Sequence, residues 1–209
     1  RLFYIIIFKF PMTNIEKKIS NETAGILLRK KCIEFNFKKK FQLTSGRKSI
    51  VYCDCRKIIS YTSEREKLIN FALKKIKLDQ TLNSLTNIAG GESAGIPYAS
   101  LLAQKLKLPL SYIRKERKKF GKKSQIEGDI KCNDNVLIVE DLITDGSSKY
   151  NFIDAVEKVG GRIKAIFVIF NYGINRDFLE YKGKKIKIIS LAKWEDVLNI
   201  VVSKKIFPK

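Results

Sequence analysis

Glu140 and Asp141 stand side by side after the apolar run Val136-Leu137-Ile138-Val139, and Leu142-Ile143 lead on to the small polar run Thr144-Asp145-Gly146-Ser147-Ser148. A short, wholly apolar run predicts a strand buried on both faces. The two carboxylates follow where that strand leaves the sheet, at the carboxyl edge where open α/β sheets bind ligands. The polar run then opens a helix whose Phe152, Val156 and Val159 face the sheet and whose end is marked by Gly160-Gly161. Free backbone N–H groups at the helix start, the close approach that Gly146 permits and two hydroxyls make a cradle for a phosphate monoester. Carboxylates would repel a bare polyphosphate but suit the vicinal hydroxyls of a ribose that carries the phosphate, or its Mg²⁺. The chemistry predicted is therefore that of a ribose phosphate. An ordinary strand-to-helix turn with acids near the helix N-terminus is the competing reading of this segment taken alone.

A second segment carries the opposite charge. Seven of the ten residues from Arg114 to Lys123 are basic, with Glu116 the one acid, and no apolar periodicity docks them as a helix. That describes a mobile loop, one that could close over a pyrophosphate, neutralise its charge and exclude water. A third segment, Gly90-Gly91-Glu92-Ser93 ahead of Ala94-Gly95-Ile96-Pro97, is a glycine-rich turn whose backbone can approach an anion.

The elements that must position these groups follow from patterning. The chain has 209 residues, 44% of them hydrophobic, enough for one well-buried core and too few for two full domains. An amphipathic helix is predicted over 14–37, with Ser20 as its N-cap. A turn and hairpin over 41–56 come next, then a helix from Ser63 in which Leu68, Phe71, Ala72 and Ile76 recur at helical spacing. Strands at 87–89, 110–113, 136–139, 163–170 and 186–190 alternate with helices at 96–106, 147–159 and 194–202, the signature of a parallel sheet covered on both faces. The organisation expected is an upstream extension over 1–11, a helix and hood over 12–60, and a core over 61–209. The apolar run Leu2–Phe8 is too short to span a bilayer and lacks a cleavage site, and Met12, the one methionine, is the expected native start.

Composition removes whole classes of chemistry. No histidine is present, so histidine triads, general bases and metal ligands are excluded. Cys32, Cys53, Cys55 and Cys132 lack paired spacing, which argues against zinc or a disulfide framework and for a reducing, cytoplasmic setting. The formal charge of +21 attracts polyanions in general. Lysine is spread along the chain together with Ile and Asn, as a compositional bias would produce, so neither nucleic acid nor a membrane is expected as a partner. A nucleic-acid-binding regulator on the same fold is the rival from another class, against which the loop cations count.

Taken together, these segments resemble a known family. Apolar strand, two acids, apolar pair, Thr and hydroxyls are similar to the phosphoribosyl-pyrophosphate signature of type I phosphoribosyltransferases. Arg114-Lys115-Glu116-Arg117-Lys118-Lys119-Phe120-Gly121, followed by Gln125-Ile126-Glu127-Gly128, resembles the catalytic loop of orotate phosphoribosyltransferases. Phe41–Ser49 running into Val51–Arg56 is similar to the hood that covers the pyrimidine, and Ile88–Pro97 to the loop that receives pyrophosphate through backbone amides. The resemblance implies an α/β type I phosphoribosyltransferase fold, a central, mostly parallel sheet flanked by helices with a small N-terminal hood. It further implies Mg²⁺-dependent transfer of 5-phosphoribose from phosphoribosyl pyrophosphate to orotate, in pyrimidine biosynthesis, by a homodimer that shares its loops between subunits.

By position, the resemblance implies that Lys118 meets the pyrophosphate in the transition state with Arg114 and Lys115 in support, and that Glu140 and Asp141 hold the ribose hydroxyls. The run from Leu142 and Ile143 through Thr144, Asp145, Gly146, Ser147 and Ser148 would bind the 5-phosphate. Thr144, Tyr52 and Cys53 would meet orotate, and Gly90, Gly91, Glu92 and Ser93 the pyrophosphate. Mg²⁺ would ride mainly on substrate oxygens, with no dedicated protein site. Three departures stand out: Phe120 replaces a loop histidine, 170–173 lack an orotate-contacting arginine with Arg176 only nearby, and Ser93-Ala94 replace an aromatic–lysine pair. They leave open a phosphoribosyltransferase for another base.

Overall fold

Apolar runs too short for helices line up as strands, and the helical segments between them cover both faces. The computed structural model describes residues 12–36, 38–42, 46, 48–117, 124–174 and 177–204. From the N-terminus these form α1 (Asn14–Arg29), β1 (Ile33–Phe35), β2 (Phe41–Gln42), β3 (Lys48–Ser49), β4 (Val51–Cys53), a 3-10 turn over Cys55–Ser60 and α2 (Thr62–Leu78). There follow β5 (Asn87–Gly91), α3 (Gly95–Leu106), β6 (Leu110–Ile113), β7 (Ile126–Glu127), β8 (Asn135–Ile143), α4 (Ser147–Lys158), β9 (Arg162–Asn171), β10 (Phe178–Tyr181), β11 (Lys184–Lys193) and α5 (Trp194–Ser203).

Seven strands form one sheet in the order β10-β11-β9-β8-β5-β6-β7. The five central strands pair in parallel, and the outermost strands, β10 and β7, are antiparallel to their neighbours. The chain runs from β5 outward to β6 on one side, and from β8 outward to β9 and β11 on the other. The reversal falls between β5 and β8, where a crevice opens at the carboxyl ends of the strands.

Alternation along β8 sorts its side chains between two cores. Leu137 and Val139 join the core built with α1, α2, α3 and α5, whereas Val136 and Ile138 join Phe152, Ile153 and Val156 of α4. The hood stands on the first face. Its β1 and β4 pair antiparallel, β2 and β3 form a small hairpin beside them, and two tyrosines tie it to the core. Tyr98 Oη donates to the carbonyl of Cys55 at 2.7 Å, and the amide of Cys53 donates to Tyr172 Oη at 2.9 Å.

Several element boundaries differ from those predicted, each for a physical reason. α1 is capped by Thr13 in a reciprocal box with Glu16, while Ser20 is buried within the helix and donates back to Lys17. The helix stops at Arg29 because the chain must return as β1 to pair with β4. Val51–Cys53 accordingly joins β1, not the β2–β3 hairpin. β8 continues to Ile143, since Leu142 and Ile143 go on pairing with Phe170 and Asn171 of β9.

Candidate active site

That longer β8 corrects the placement of the two acids. They are residues of the strand, not of the turn beyond it, and both are nearly buried, Glu140 at 5% exposure and Asp141 at 8%. Being adjacent in a strand, they face opposite ways. Glu140 follows Ile138 toward α4, where its Oε2 accepts from Lys149 Nζ at 2.7 Å. Its Oε1 is buried without a hydrogen-bond partner. Asp141 follows Val139 toward the hood, within electrostatic reach of Cys55, Arg56 and Tyr98, and its Oδ1 accepts from the Leu142 amide at 2.8 Å. Burial pushes both carboxyls above the usual carboxylate range. Lys149 opposes this in each case, joined by the Leu142 N–H for Asp141.

Gly91 closes β5 directly beside Glu140. A Cβ there would overlap Glu140 Oε1 and lie 2.6 Å from Cε2 of Phe152, so the absence of a side chain makes room for the carboxylate. Gly90 backs onto α3, where a Cβ would meet Ile96 Cα at 2.8 Å. These glycines serve close packing at the crevice, which was not among the reasons the sequence suggested for them. Glu92, next along, accepts through Oε2 from the amide of Lys115 at 2.8 Å and its own amide donates to Ile113. The Glu92–Ser93 peptide is cis.

The turn after β8 brings Thr144, Asp145, Gly146, Ser147 and Ser148 to the same edge. Gly146 adopts φ 82° as the N-cap of α4, a left-handed conformation that favours glycine. Ser147 and Ser148 are exposed. The cradle is less open than predicted, because Asp145 Oδ1 accepts from both the amide of Ser147, at 3.1 Å, and its hydroxyl, at 2.9 Å.

The described residues that flank the basic segment belong to two paired strands. β6 and β7 pair antiparallel, the amide of Arg114 donates to the carbonyl of Gln125 at 2.8 Å, and Gln125 Nε2 bridges to the Arg114 carbonyl and Asn151 Oδ1. Asn151 Nδ2 donates to the carbonyl of Lys115, so both stems are fastened to α4. Arg114 lies 3.8 Å from Glu127, and the Lys115 side chain is exposed. Lys118 and Phe120 lie outside the described residues, as do Leu43–Ser45, Arg47 and Arg176.

Of the two hood residues expected at a base, Tyr52 and Cys53 also alternate. Tyr52 is half-buried, its ring 5.5 Å from that of Phe41, and its Oη accepts from Arg56 Nη2 at 3.2 Å. Cys53 turns inward, with its Sγ 3.5 Å from that of Cys55, so its side chain does not share a face with Tyr52. Burial raises the Cys32 thiol to about 12, and the Cys53 contact together with burial raises Cys55, which keeps these thiols protonated at neutral pH.

Sequence reasoning missed Lys149, Arg56, Asn151 and Tyr172. Lys149 alone had a legible signal, a cation at the head of the apolar stripe that continues through Phe152, Ile153 and Val156. Among the described residues no group of three or more His, Cys, Asp or Glu is placed to hold a metal ion, and no helix is long and apolar enough to cross a membrane.

Comparison with known proteins places this geometry among others. The model of the phosphoribosyl transferase domain matches residues 57–197. An orotate phosphoribosyltransferase of Dinoroseobacter shibae is 40% identical over 186 residues, covering 88% of this chain and 81% of the relative. The structure of Leishmania donovani UMP synthase superposes with a TM-score of 0.76 at 25% identity, over 92% of this chain and 40% of that one. Orotate phosphoribosyltransferase from Aeropyrum pernix superposes with a TM-score of 0.69 at 27% identity, over 86% of this chain and 98% of that one.

Proposed function

Since the chain belongs to the orotate phosphoribosyltransferases, on the type I phosphoribosyltransferase fold, we propose that it transfers 5-phosphoribose from phosphoribosyl pyrophosphate to N1 of orotate. The products are orotidine 5′-phosphate and pyrophosphate. The observation that carries this reading is that Gly91, Glu140, Asp141 and Thr144–Ser148 lie together at the carboxyl ends of the paired strands β5 and β8.

The bond between the anomeric carbon and pyrophosphate breaks ahead of the new C–N bond, its electron pair leaving with pyrophosphate, while orotate N1 gives up its proton to solvent. The protein's task is then to hold the reactants in line and to stabilise charge on the leaving group. Glu140 and Asp141, presented from the two sides of β8, hold the ribose hydroxyls, and the Thr144–Ser148 turn at the start of α4 holds the 5-phosphate. As the substrate enters, the amide and hydroxyl of Ser147 exchange their bonds to Asp145 for bonds to the phosphate. The backbone of Gly90–Ser93 receives the pyrophosphate, and Lys118 meets its developing charge with Arg114 and Lys115 in support. Tyr52 and Thr144 flank the base, with Cys53 backing them from within the hood.

Mg²⁺ fits the Asp141 carboxylate, a hard oxygen donor at the carboxyl end of β8. Asp141 would hold the ion together with oxygens of the substrate. Bound there, it would supply charge neutralisation for the departing pyrophosphate. The family reading also carries a cytoplasmic homodimer in which the 114–123 loop reaches the neighbouring site.

Mixing the protein with Mg²⁺, phosphoribosyl pyrophosphate and orotate and following the loss of orotate absorbance tests the assignment. Turnover of orotate, with uracil and hypoxanthine inert, is expected. Consumption of either control base in place of orotate overturns the choice of base.

A further inference from the structure

Lys149 lies on the stripe of α4 that faces the sheet, three residues before Phe152, four before Ile153 and seven before Val156, where the helix otherwise presents apolar groups. A lysine is seldom buried without a partner. Here the partner is Glu140: Nζ and Oε2 are 2.7 Å apart and each side chain is only 7% exposed. The two are tied across the layers, one on β8 and one on α4, with the Phe152 ring 6.0 Å from the ammonium. The contact commits one carboxylate oxygen and leaves the other, Oε1, buried, unpartnered and lodged against Gly91 at the end of β5.

A buried pair of this kind gives little net stability, since desolvation offsets the attraction, but it fixes geometry firmly. An acceptor left unsatisfied beside it is a cost that a bound donor would relieve. We propose that Lys149 is a positioning residue for phosphoribosyl transfer: it pins the Glu140 carboxylate by Oε2 so that Oε1 stands ready to accept a hydroxyl of the substrate's ribose. The proposal rests on the assigned reaction for the identity of that hydroxyl.

Lys149 reaches Glu140 from α4, Lys115 acts on it from the segment after β6, and Asp141, its neighbour on β8, acts as a like charge, while Gly91 and Phe152 bring no charge. Loss of Lys149 removes the one side-chain contact that fixes the Glu140 rotamer.

The test compares the wild-type protein with K149M, K149R and the E140Q/K149M pair. The measurements are steady-state kinetics, calorimetric titration with Mg²⁺–phosphoribosyl pyrophosphate, and thermal melting. Loss of one charge-assisted hydrogen bond to the ribose corresponds to about 10- to 100-fold in affinity. K149M is expected to weaken phosphoribosyl pyrophosphate binding by that factor and to leave the KM for orotate nearly unchanged. K149R, which keeps the charge, is expected to recover much of the loss.

A K149M protein that melts earlier yet binds phosphoribosyl pyrophosphate normally would overturn the proposal by showing a purely structural lysine. If K149M does not fold, E140Q/K149M buries no charge at either position. It is expected to fold and still bind weakly, and normal binding by that pair would also overturn the proposal. Wild-type protein that binds phosphoribosyl pyrophosphate without consuming orotate refutes the choice of base and leaves the Lys149 comparison to be read by calorimetry.

Discussion

Replacing Gly91 with alanine adds one methyl group at the point where three elements meet, and its consequence can be worked from the contacts. The new Cβ would overlap Glu140 Oε1 and lie 2.6 Å from Phe152 Cε2 and 2.8 Å from Glu140 Cδ. The strand backbone cannot retreat, because β5 is paired on both sides, with β6 and β8. Relief must come from Glu140, and moving its carboxylate stretches the 2.7 Å contact with Lys149. Overpacking of this order costs about 1–3 kcal/mol. For a domain of this size each kcal/mol lowers Tm by roughly 2–4 °C, so G91A is expected to melt about 2–12 °C below wild type.

Its sharper effect falls on substrate, because the displaced group is the one that meets the ribose: KM for phosphoribosyl pyrophosphate rises while KM for orotate changes little. Gly95→Ala is the control for a clash that only harms folding. Its Cβ would overlap the Val139 carbonyl oxygen and lie 3.0 Å from the carbonyl carbon, backbone atoms of a central strand that no rotamer change can clear. Scanning fluorimetry and steady-state kinetics on the two variants separate the effects. G91A with wild-type Tm and wild-type KM would refute the reasoning.

Lys118→Ala is expected to lower kcat by about 10²–10³-fold with the melting curve unchanged, since it removes a contact made to charge that develops in the transition state; single-turnover rates check it, and an unaltered rate removes the lysine from the mechanism. Asp141→Asn is expected to weaken phosphoribosyl pyrophosphate binding in calorimetry, and undiminished affinity with a normal rate counts against the ribose contact. Burial favours the neutral forms of Glu140 and Asp141, so each loses its charge at a higher pH than a free carboxyl, for which 4.5 and 3.8 are the reference values. Activity that needs both carboxylates should therefore rise with pH along an acid limb above that range, and a kcat/KM profile flat down to ordinary carboxylate pH contradicts it. Chelation by EDTA is expected to abolish turnover and added Mg²⁺ to restore it, whereas full activity in excess chelator rules the ion out.

The layered fold was legible because its central strands carry apolar runs and its helices are periodic. Val136–Val139 and Ile163–Phe170 could hardly be anything but buried strands. What escaped notice were the edges. β7 is two residues long and β10 reads Phe178-Leu179-Glu180-Tyr181, exposed at alternate residues, and each exists because a neighbouring strand offers it a partner. The carboxylates of β8 misled in the same way: charge was read as the end of the strand, yet β9 continues alongside and the pairing carries Glu140 and Asp141 inward. The true cap of α1 was written in the sequence as Thr13-x-x-Glu16, a box that local pattern alone defines.

The site was legible segment by segment and illegible in its pairings. Each acidic, glycine-rich or basic stretch could be assigned a chemical task from its residue types. Which groups touch, however, depends on the reversal of strand order between β5 and β8, a property of topology that no single segment contains. That reversal sets Gly91 against Glu140, and the period of two then decides the rest. Glu140 must look toward α4, where the next buried cation is Lys149, and Asp141 must look toward the hood, where Arg56 stands. Two acids adjacent in sequence thus have different hydrogen-bond partners, although the Lys149 charge acts on both. On the proposed reaction, a ribose that engages both lies across the end of β8, with its 5-phosphate at the start of α4.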